Sequence, residues 1–413
     1  MPIELILIIG LVLVFVVPMV FDINVGVVAF VAAFLLGTLL LDRSSSEVLA
    51  GFPTNIFIML VGITLLLGIA HQNGTVDWIV SNLVRLANGR LALLPWVLFA
   101  VGFLTSSMGP GAAPVLFVIG VGFIKRHGLN PVLVAAMVIH GNQSGGYSPI
   151  APYGLLIAQL AEASGMQYAP ITFYLGVVAF HIVLAAAVFV LLGGGKLIGQ
   201  RIPQNVDAGG ARASVTREQL ATLGGFVLLV LGIVFYQINP GFLALSIALV
   251  LLLLSDRDLR DAAVNQVSWP IVLVIGGVLT YVNLLIGAGA TDWLAAQAAG
   301  LGSPVFVGLV LCLLVAVVTG VASTAGTIGV LIPLSAPFVL SGELDGTMLL
   351  TAMAISAAVT DISPYSTWGA LFLATAAQSL DKDRVFSAQL KYTLCMLAFV
   401  PVIAWAIFVV PGW

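Results

Sequence analysis

Eight stretches of the chain, at 3–21, 24–41, 53–70, 171–194, 219–237, 240–255, 270–288 and 388–410, are apolar almost without a break. A helix needs about 20 such residues to cross the hydrocarbon of a bilayer, so the pattern predicts an all-α polytopic membrane protein. The charge content agrees: 14 Lys plus Arg and 17 Asp plus Glu make only 8% of the 413 residues, whereas a soluble domain is about a quarter charged. Too few charges remain to build a water-facing surface, which excludes a soluble enzyme and a disordered chain. A net charge of −3 gives no footprint for nucleic acid. Met1-Pro2-Ile3-Glu4 lacks the basic start of a secretory signal, so the first stretch is read as a transmembrane helix. Cys312 and Cys395 lie inside apolar stretches and are expected to be buried packing thiols.

Four further apolar stretches, 91–125, 130–163, 304–341 and 347–378, are interrupted by Gly, Pro, Ser and Thr. The second half of the chain repeats the first at an offset of 215 residues. Gly74, Asp77 and Trp78 fall on Gly289, Asp292 and Trp293; Gly62 falls on Gly277, Gly111 on Gly326, Ser148-Pro149 on Ser363-Pro364, and Gly154 on Gly369. The chain is therefore read as a tandem duplication, 1–195 and 219–413, joined by a cytoplasmic linker at 196–218. Each repeat is expected to hold three plain helices, a re-entrant hairpin, a broken helix and a final helix. Five crossings per repeat is an odd number, so the repeats are expected in inverted topology. Thirteen of the fourteen basic residues then share one side, with Arg43 alone on the other. The positive-inside rule makes that side cytoplasmic and turns both termini outward. The first hairpin arm, 91–105, spans about 22 Å as a helix, short of a core of about 30 Å, which favours a re-entrant hairpin. Thr75–Leu86 and Thr291–Leu301 are expected to be amphipathic helices lying along the membrane surface.

The broken segments are His140-Gly141-Asn142-Gln143-Ser144-Gly145-Gly146-Tyr147-Ser148-Pro149 and Thr360-Asp361-Ile362-Ser363-Pro364-Tyr365-Ser366-Thr367. Glycine and proline open a helix there, and open backbone at membrane depth must line a cavity or be buried in protein. Two broken helices at matching places in two repeats point to a transporter's midplane site. No Lys or Arg lies in the hairpin tips or broken segments. An anionic substrate would have to be neutralised by helix ends and co-bound cations. Asp361, an intramembrane carboxylate, is open to three readings: sodium ligand, proton carrier, or acceptor for helix N–H groups. His140 and His181 read as hydrogen-bonded core histidines. Gly193-Gly194-Gly195-Lys196 lacks the spacing and hydroxyl of a phosphate loop. Ser144 stands four residues from His140 but outside any G-x-S-x-G elbow. An intramembrane serine hydrolase remains the enzyme alternative, and it would require a reactive Ser144.

At these residues the chain resembles a known family. GFPTNIFIMLVGITLLLGIAHQNGTVDW and MVIHGNQSGGYSPIAPYG closely resemble the MatC-type malonate and dicarboxylate carriers, in the ion-transporter superfamily that includes divalent-anion sodium symporters. The resemblance implies a homodimeric elevator transporter of the inner (plasma) membrane, not an enzyme, with sodium-coupled uptake of a small di- or tricarboxylate. It further implies a scaffold at about 1–90 and 219–302 and a transport domain at about 91–195 and 303–413. The relatives carry a Ser-Asn-Thr signature at each hairpin tip, with a proline ten residues after its serine. Ser323-Thr324-Ala325-Gly326-Thr327 keeps that interval to Pro333 but differs in its middle. The first tip departs further: Met108-Gly109-Pro110 stands at the signature's place, and Ser106-Ser107 comes two residues early. Asn142 or Gln143 could then supply the missing oxygens or amides.

The expected substrate-binding residues are Ser106, Ser107, Gly109, Asn142, Gln143, Ser148 and Pro149 in the first repeat. In the second they are Ser323, Thr324, Thr327, Ser363, Pro364 and Ser366. Sodium is expected at Ser107, Gly111 and Gly145, and at Thr324, Thr360 and Asp361. The substrate would lie between the two tips near the midplane. A proton-coupled carboxylate carrier and a sodium/proton antiporter of the same superfamily are the alternatives.

Overall fold

The computed structural model describes residues 2–21, 23–76, 78–79, 82, 90–109, 111–201, 215–236, 238–267, 269–290, 293, 303–321, 324–377 and 379–412. Along the first half run α1 (Ile3–Phe21), α2 (Val25–Leu39), α3 (Ser45–Leu49), α4 (Thr54–Gln72), α5 (Leu93–Ser106), α6 (Ala113–His127), α7 (Pro131–Gly146), α8 (Pro152–Ala163) and α9 (Pro170–Leu191). The second half gives α10 (Arg217–Tyr236), α11 (Pro240–Leu253), α12 (Arg257–Asn265), α13 (Trp269–Gly287), α14 (Pro304–Thr319), α15 (Thr324–Leu340), α16 (Gly346–Val359), α17 (Thr367–Ala376) and α18 (Lys382–Phe408). Among the described residues there is no strand, only an isolated bridge between Arg90 and Arg201. The all-α expectation holds.

Helix boundaries follow the sequence offset. Val25 and Pro240, Thr54 and Trp269, Pro131 and Gly346, and Pro152 and Thr367 each start helices 215 residues apart. Local chemistry sets these starts. Asn24 and Asn239 cap α2 and α11 by accepting from the amides of Gly26 (2.8 Å) and Gly241 (2.9 Å), which satisfies N–H groups that the first turn leaves without partners.

Thr54–Gln72, Pro170–Leu191 and Lys382–Phe408 are long and apolar enough to cross a membrane. Large apolar side chains such as Leu39, Val183, Leu191, Val227 and Phe242 are exposed on the helix surfaces, where lipid replaces water. The chain is an integral membrane protein. The arms α5, α6, α14 and α15 have 14, 15, 16 and 17 residues. At 1.5 Å per residue that is about 21–26 Å, shorter than the hydrocarbon core.

The chain folds as two compact units, each drawn from both halves of the sequence. One comprises Met1–Pro53, Tyr153–Val183 and Pro270–Trp413; the other comprises Thr54–Pro152 and Leu184–Trp269. In the first unit α2 crosses α13 so closely that a side chain at Gly26 would strike the Leu273 carbonyl, and one at Gly277 would strike Gly26. The second unit makes the same contact with the roles exchanged: Gly62 of α4 faces the Gly241 carbonyl of α11. Gly26 and Gly241, like Gly62 and Gly277, are 215 apart. Small residues let membrane helices approach this closely, and the gain is van der Waals packing rather than water release.

Polar side chains also tie segments together within each unit. In the first, the Arg43 guanidinium donates to the Gly287 carbonyl at 2.8 Å and Asn283 Nδ2 to the Gly51 carbonyl at 2.8 Å. In the second, Asn73 Nδ2 donates to Thr222 Oγ1 at 2.7 Å.

Two expectations need correction. α7 remains helical through Gly146, so the open backbone begins at Tyr147 rather than at His140; the reason lies in how α7 packs, described below. Cys312 is buried as expected, but Cys395 is exposed on α18, where lipid accepts a thiol as readily as a core does. The segments Thr75–Leu86 and Thr291–Leu301 lie largely outside the described residues, as do 202–214 of the linker.

Candidate functional site

Each unit holds one hairpin tip beside one opened helix. In the unit spanning 54–152 and 184–269, the tip joins α5 to α6, and α7 packs along α5. Side chains at Gly141 and Gly145 would collide with the carbonyls of Phe99 and Phe103, and one at Gly102 would press on Val138 and Asn142. The glycines thus serve contact rather than unwinding, which is why α7 continues to Gly146. The helix then opens over 147–151, where Ser148 N–H donates to the Gly145 carbonyl at 2.9 Å.

At the tip, Ser107 Oγ donates to the Phe103 carbonyl at 2.7 Å, and Thr105 Oγ1 accepts from the Ala112 amide at 3.1 Å. Gly111 has φ +78°, a conformation that favours glycine. The space a side chain there would fill is taken by Asn142 Oδ1. That oxygen is buried and accepts no hydrogen bond among the described residues, which carries a cost unless a cation, a water or a ligand group meets it. Ala112 precedes α6 without providing a side-chain cap, so the first-turn N–H groups of α6 also face the tip region with a partial positive charge. Ser106, Gln143 and Ser148 are buried, while Pro149 is exposed. Gly109 packs against Leu67 of α4. Of the residues expected from the sequence in this half, Asn142 and Gly111 are in direct contact and Gly145 lies beside the Ser107 amide.

In the other unit the tip precedes α15, and the opened segment runs from Thr360 to Ser366 between α16 and α17. Thr324 Oγ1 donates to Asp361 Oδ2 at 2.7 Å, and both residues are buried. The main-chain oxygen of Asp361 accepts from Ser366 Oγ (2.7 Å) and from the Gly369 amide (3.1 Å). Ser366 also caps α17. Thr360 Oγ1 donates to the Ala316 carbonyl of α14 at 2.9 Å, which pins the opening to the hairpin arm. Thr327, Ser363 and Pro364 are buried in the same unit. Ser323 lies outside the described residues.

Three residues at these tips carry no motif. Thr105 clamps the first tip. Gln389 of α18 is fully buried, and its Nε2 donates to the carbonyls of Ile362 and Gly369, both at 3.1 Å. It thereby satisfies backbone acceptors that the opened helix would leave bare. The Tyr153 hydroxyl, at the start of α8, hydrogen-bonds with Thr324 and Trp368 beside Asp361. A lone amide in the apolar stretch 388–410 is a signal that could have revealed Gln389. Nothing in the sequence marks Tyr153.

Among the described residues no group of three or more His, Cys, Asp or Glu could hold a transition metal. The donors gathered at both tips are hydroxyl, amide and carbonyl oxygens with one carboxylate, the set that suits a hard monovalent cation.

Residues 1–146 match the family described as dicarboxylate carrier protein MatC N-terminus. No curated protein sequence matches the chain. Among solved structures, the YdaH transporter of Alcanivorax borkumensis is similar in fold, with a TM-score of 0.63 over 90% of this chain and 88% of that one, at 17% identity. In sequence the N-terminal third thus resembles a dicarboxylate carrier, and nearly the whole chain shares the fold of a solved transporter.

Proposed function

We propose that this protein is a secondary active transporter for a small di- or tricarboxylate, driven by a co-transported cation, with sodium as that cation. The observation that carries the reading is the build of the two tips. Each sets oxygen donors beside opened backbone, Asn142 at one and Thr324 with Asp361 at the other, and neither contains Lys or Arg. A site without a fixed cation relies on helix ends and mobile cations to hold a carboxylate, and its dependence on the latter is coupling. The substrate class comes from the similarity of residues 1–146 to a dicarboxylate carrier. A homodimer working by an elevator motion, in the inner membrane and with inverted repeats, belongs to the same proposal through the resemblance.

The test is uptake of radiolabelled succinate, malonate and citrate into proteoliposomes under an imposed sodium gradient, a potassium gradient, or a pH gradient without sodium. Sodium-driven accumulation of one of these is the expected result. Accumulation that follows the pH gradient alone would replace sodium by a proton, with Asp361 as its carrier. Sodium/proton exchange without carboxylate movement would overturn the reading in favour of an antiporter.

A further inference from the structure

A cavity of about 460 Å³ opens in the unit spanning 54–152 and 184–269, away from the hairpin tip. It is lined by Arg90, Ala92, Leu93, Leu197, Ile198 and Arg201, together with the backbone turn through Gly199 and Gln200. The bridge between Arg90 and Arg201 and the hydrogen bond from the Leu91 amide to the Gln200 carbonyl (3.2 Å) hold its two walls together. Gly193 (φ +90°) and Gly199 (φ +86°) fold the chain back on itself after α9. α9 is one of the helices long and apolar enough to cross the membrane, so its end marks the level of the lipid headgroups. Beneath the cavity Leu91 and Leu94 are buried, with Val97, Phe123 and Leu197 packed on them. Ile198, 71% exposed, stands at the mouth.

Charge and polarity are thus divided within one cavity. Two guanidinium groups have no acidic partner among the described residues, and no carboxylate lines the wall. Half of the named lining is apolar, which a small water-borne anion does not need. A guanidinium pairs bidentately with phosphate oxygens, and an apolar wall beside it accommodates the start of an acyl chain. Basic cavities at the ends of membrane helices take such headgroups. We propose that this cavity binds an anionic phospholipid of the surrounding bilayer, its phosphodiester held by Arg90 and Arg201 and its chain laid against Leu93, Leu197 and Ile198. The proposal is independent of the transport reading, because its readout is lipid binding.

The experiment is a titration of the purified, delipidated full-length protein with dioleoyl phosphatidylglycerol or dioleoyl phosphatidylcholine, with bound lipid counted by native mass spectrometry. Phosphatidylglycerol is expected to bind the wild type preferentially. The Arg90→Gln/Arg201→Gln variant should bind it about thirtyfold more weakly, since each basic group near a membrane surface contributes roughly fivefold. Lys382→Gln/Arg384→Gln removes the same charge at the start of α18 and should leave binding unchanged. An equal loss in that control would show diffuse attraction and overturn the site. So would equal binding of the two lipids. Full competition by inorganic phosphate or glycerol 1-phosphate would make it a site for a soluble anion and overturn the lipid assignment. Should the double variant fail to fold, hydrogen exchange of the wild type in nanodiscs decides. The amides of 196–201 should exchange more slowly with phosphatidylglycerol than with phosphatidylcholine, and equal rates would overturn the proposal.

Discussion

The two hairpin tips lie at matching positions 215 residues apart along the chain, yet they differ in their chemistry. At the offset of 215, the pair Thr324 and Asp361 corresponds to Gly109 and Gly146, and Asn142 corresponds to Ala357. Ser356 and Thr360 stand where Gly141 and Gly145 let α7 lie on the carbonyls of α5. The first tip combines close backbone contact with the hydrogen bonds of Thr105 and Ser107, and its polar groups are neutral. The second is shaped by side-chain hydrogen bonds and offers a carboxylate. Each half of the chain has polar chemistry where the other has a small residue. Equivalence of fold therefore does not carry equivalence of ion chemistry.

The sharpest way to break this contrast is at the polar groups. Asp361→Ala removes a buried hydrogen-bond partner of Thr324 and should cut carboxylate uptake about tenfold to a hundredfold, whereas Asn142→Ala should cost about tenfold or less. Uptake measured in proteoliposomes at equal protein density checks both, and equal losses would erase the distinction.

The glycine contacts come next. Gly141→Ala or Gly145→Ala should each destabilise by about 1–3 kcal/mol through overpacking, read as a fall in melting temperature. Gly122, which has open space around its missing side chain, should accept Ala without loss. A tolerant Gly145 would mean that α7 is not held by backbone contact.

Gln389→Leu leaves the carbonyls of Ile362 and Gly369 without their donor and should cost about 1–3 kcal/mol. Its effect should appear as raised KM and lowered melting temperature together. A normal KM with lowered stability would separate Gln389 from the opened segment's geometry.

The smallest effect concerns the caps of the two short helices. α3 begins with a full capping box between Ser44 and Glu47, while α12 follows Asp256 without a side-chain cap. Hydrogen bonds from the Ser44 side chain and then its backbone hold the Glu47 carboxyl below its ordinary range. Because the folded value is depressed, the contribution is present above the unfolded pKa of about 4.3 and is lost as pH falls through the folded value. Ser44→Ala should lower the melting temperature by a degree or two at pH 7 and by less at pH 4; Asp256→Ala should change little at either. An identical shift for Ser44→Ala at both pH values would dissociate the cap from Glu47.

Helix positions were legible because apolar length and the constant offset act locally. Thr54–Gln72 and Trp269–Gly287 fall within two residues of the stretches that announced them. The opened segments were legible as Ser-Pro sites, but the first was drawn too long. Glycine permits both unwinding and close contact, and only the neighbour α5 decides between them. Asp361 and Asn142 stood out because polar groups are costly at membrane depth. Tyr153 was missed because it acts on a segment far along the chain and nothing local records it, whereas Gln389 was marked only as a lone amide in an apolar stretch, with its partners 27 and 20 residues away.

The crossing of α2 with α13 also sets a timetable for biosynthesis. Gly26 meets the Leu273 carbonyl, so α2 leaves the ribosome 247 residues before its partner. At about 5–20 residues per second, α1 and α2 wait roughly 12–50 s before their docking surface exists. During that interval their small-residue faces must be shielded by lipid or by the insertion machinery. Expressing the two halves as separate chains should therefore give neither unit alone, and only their co-production should restore the fold.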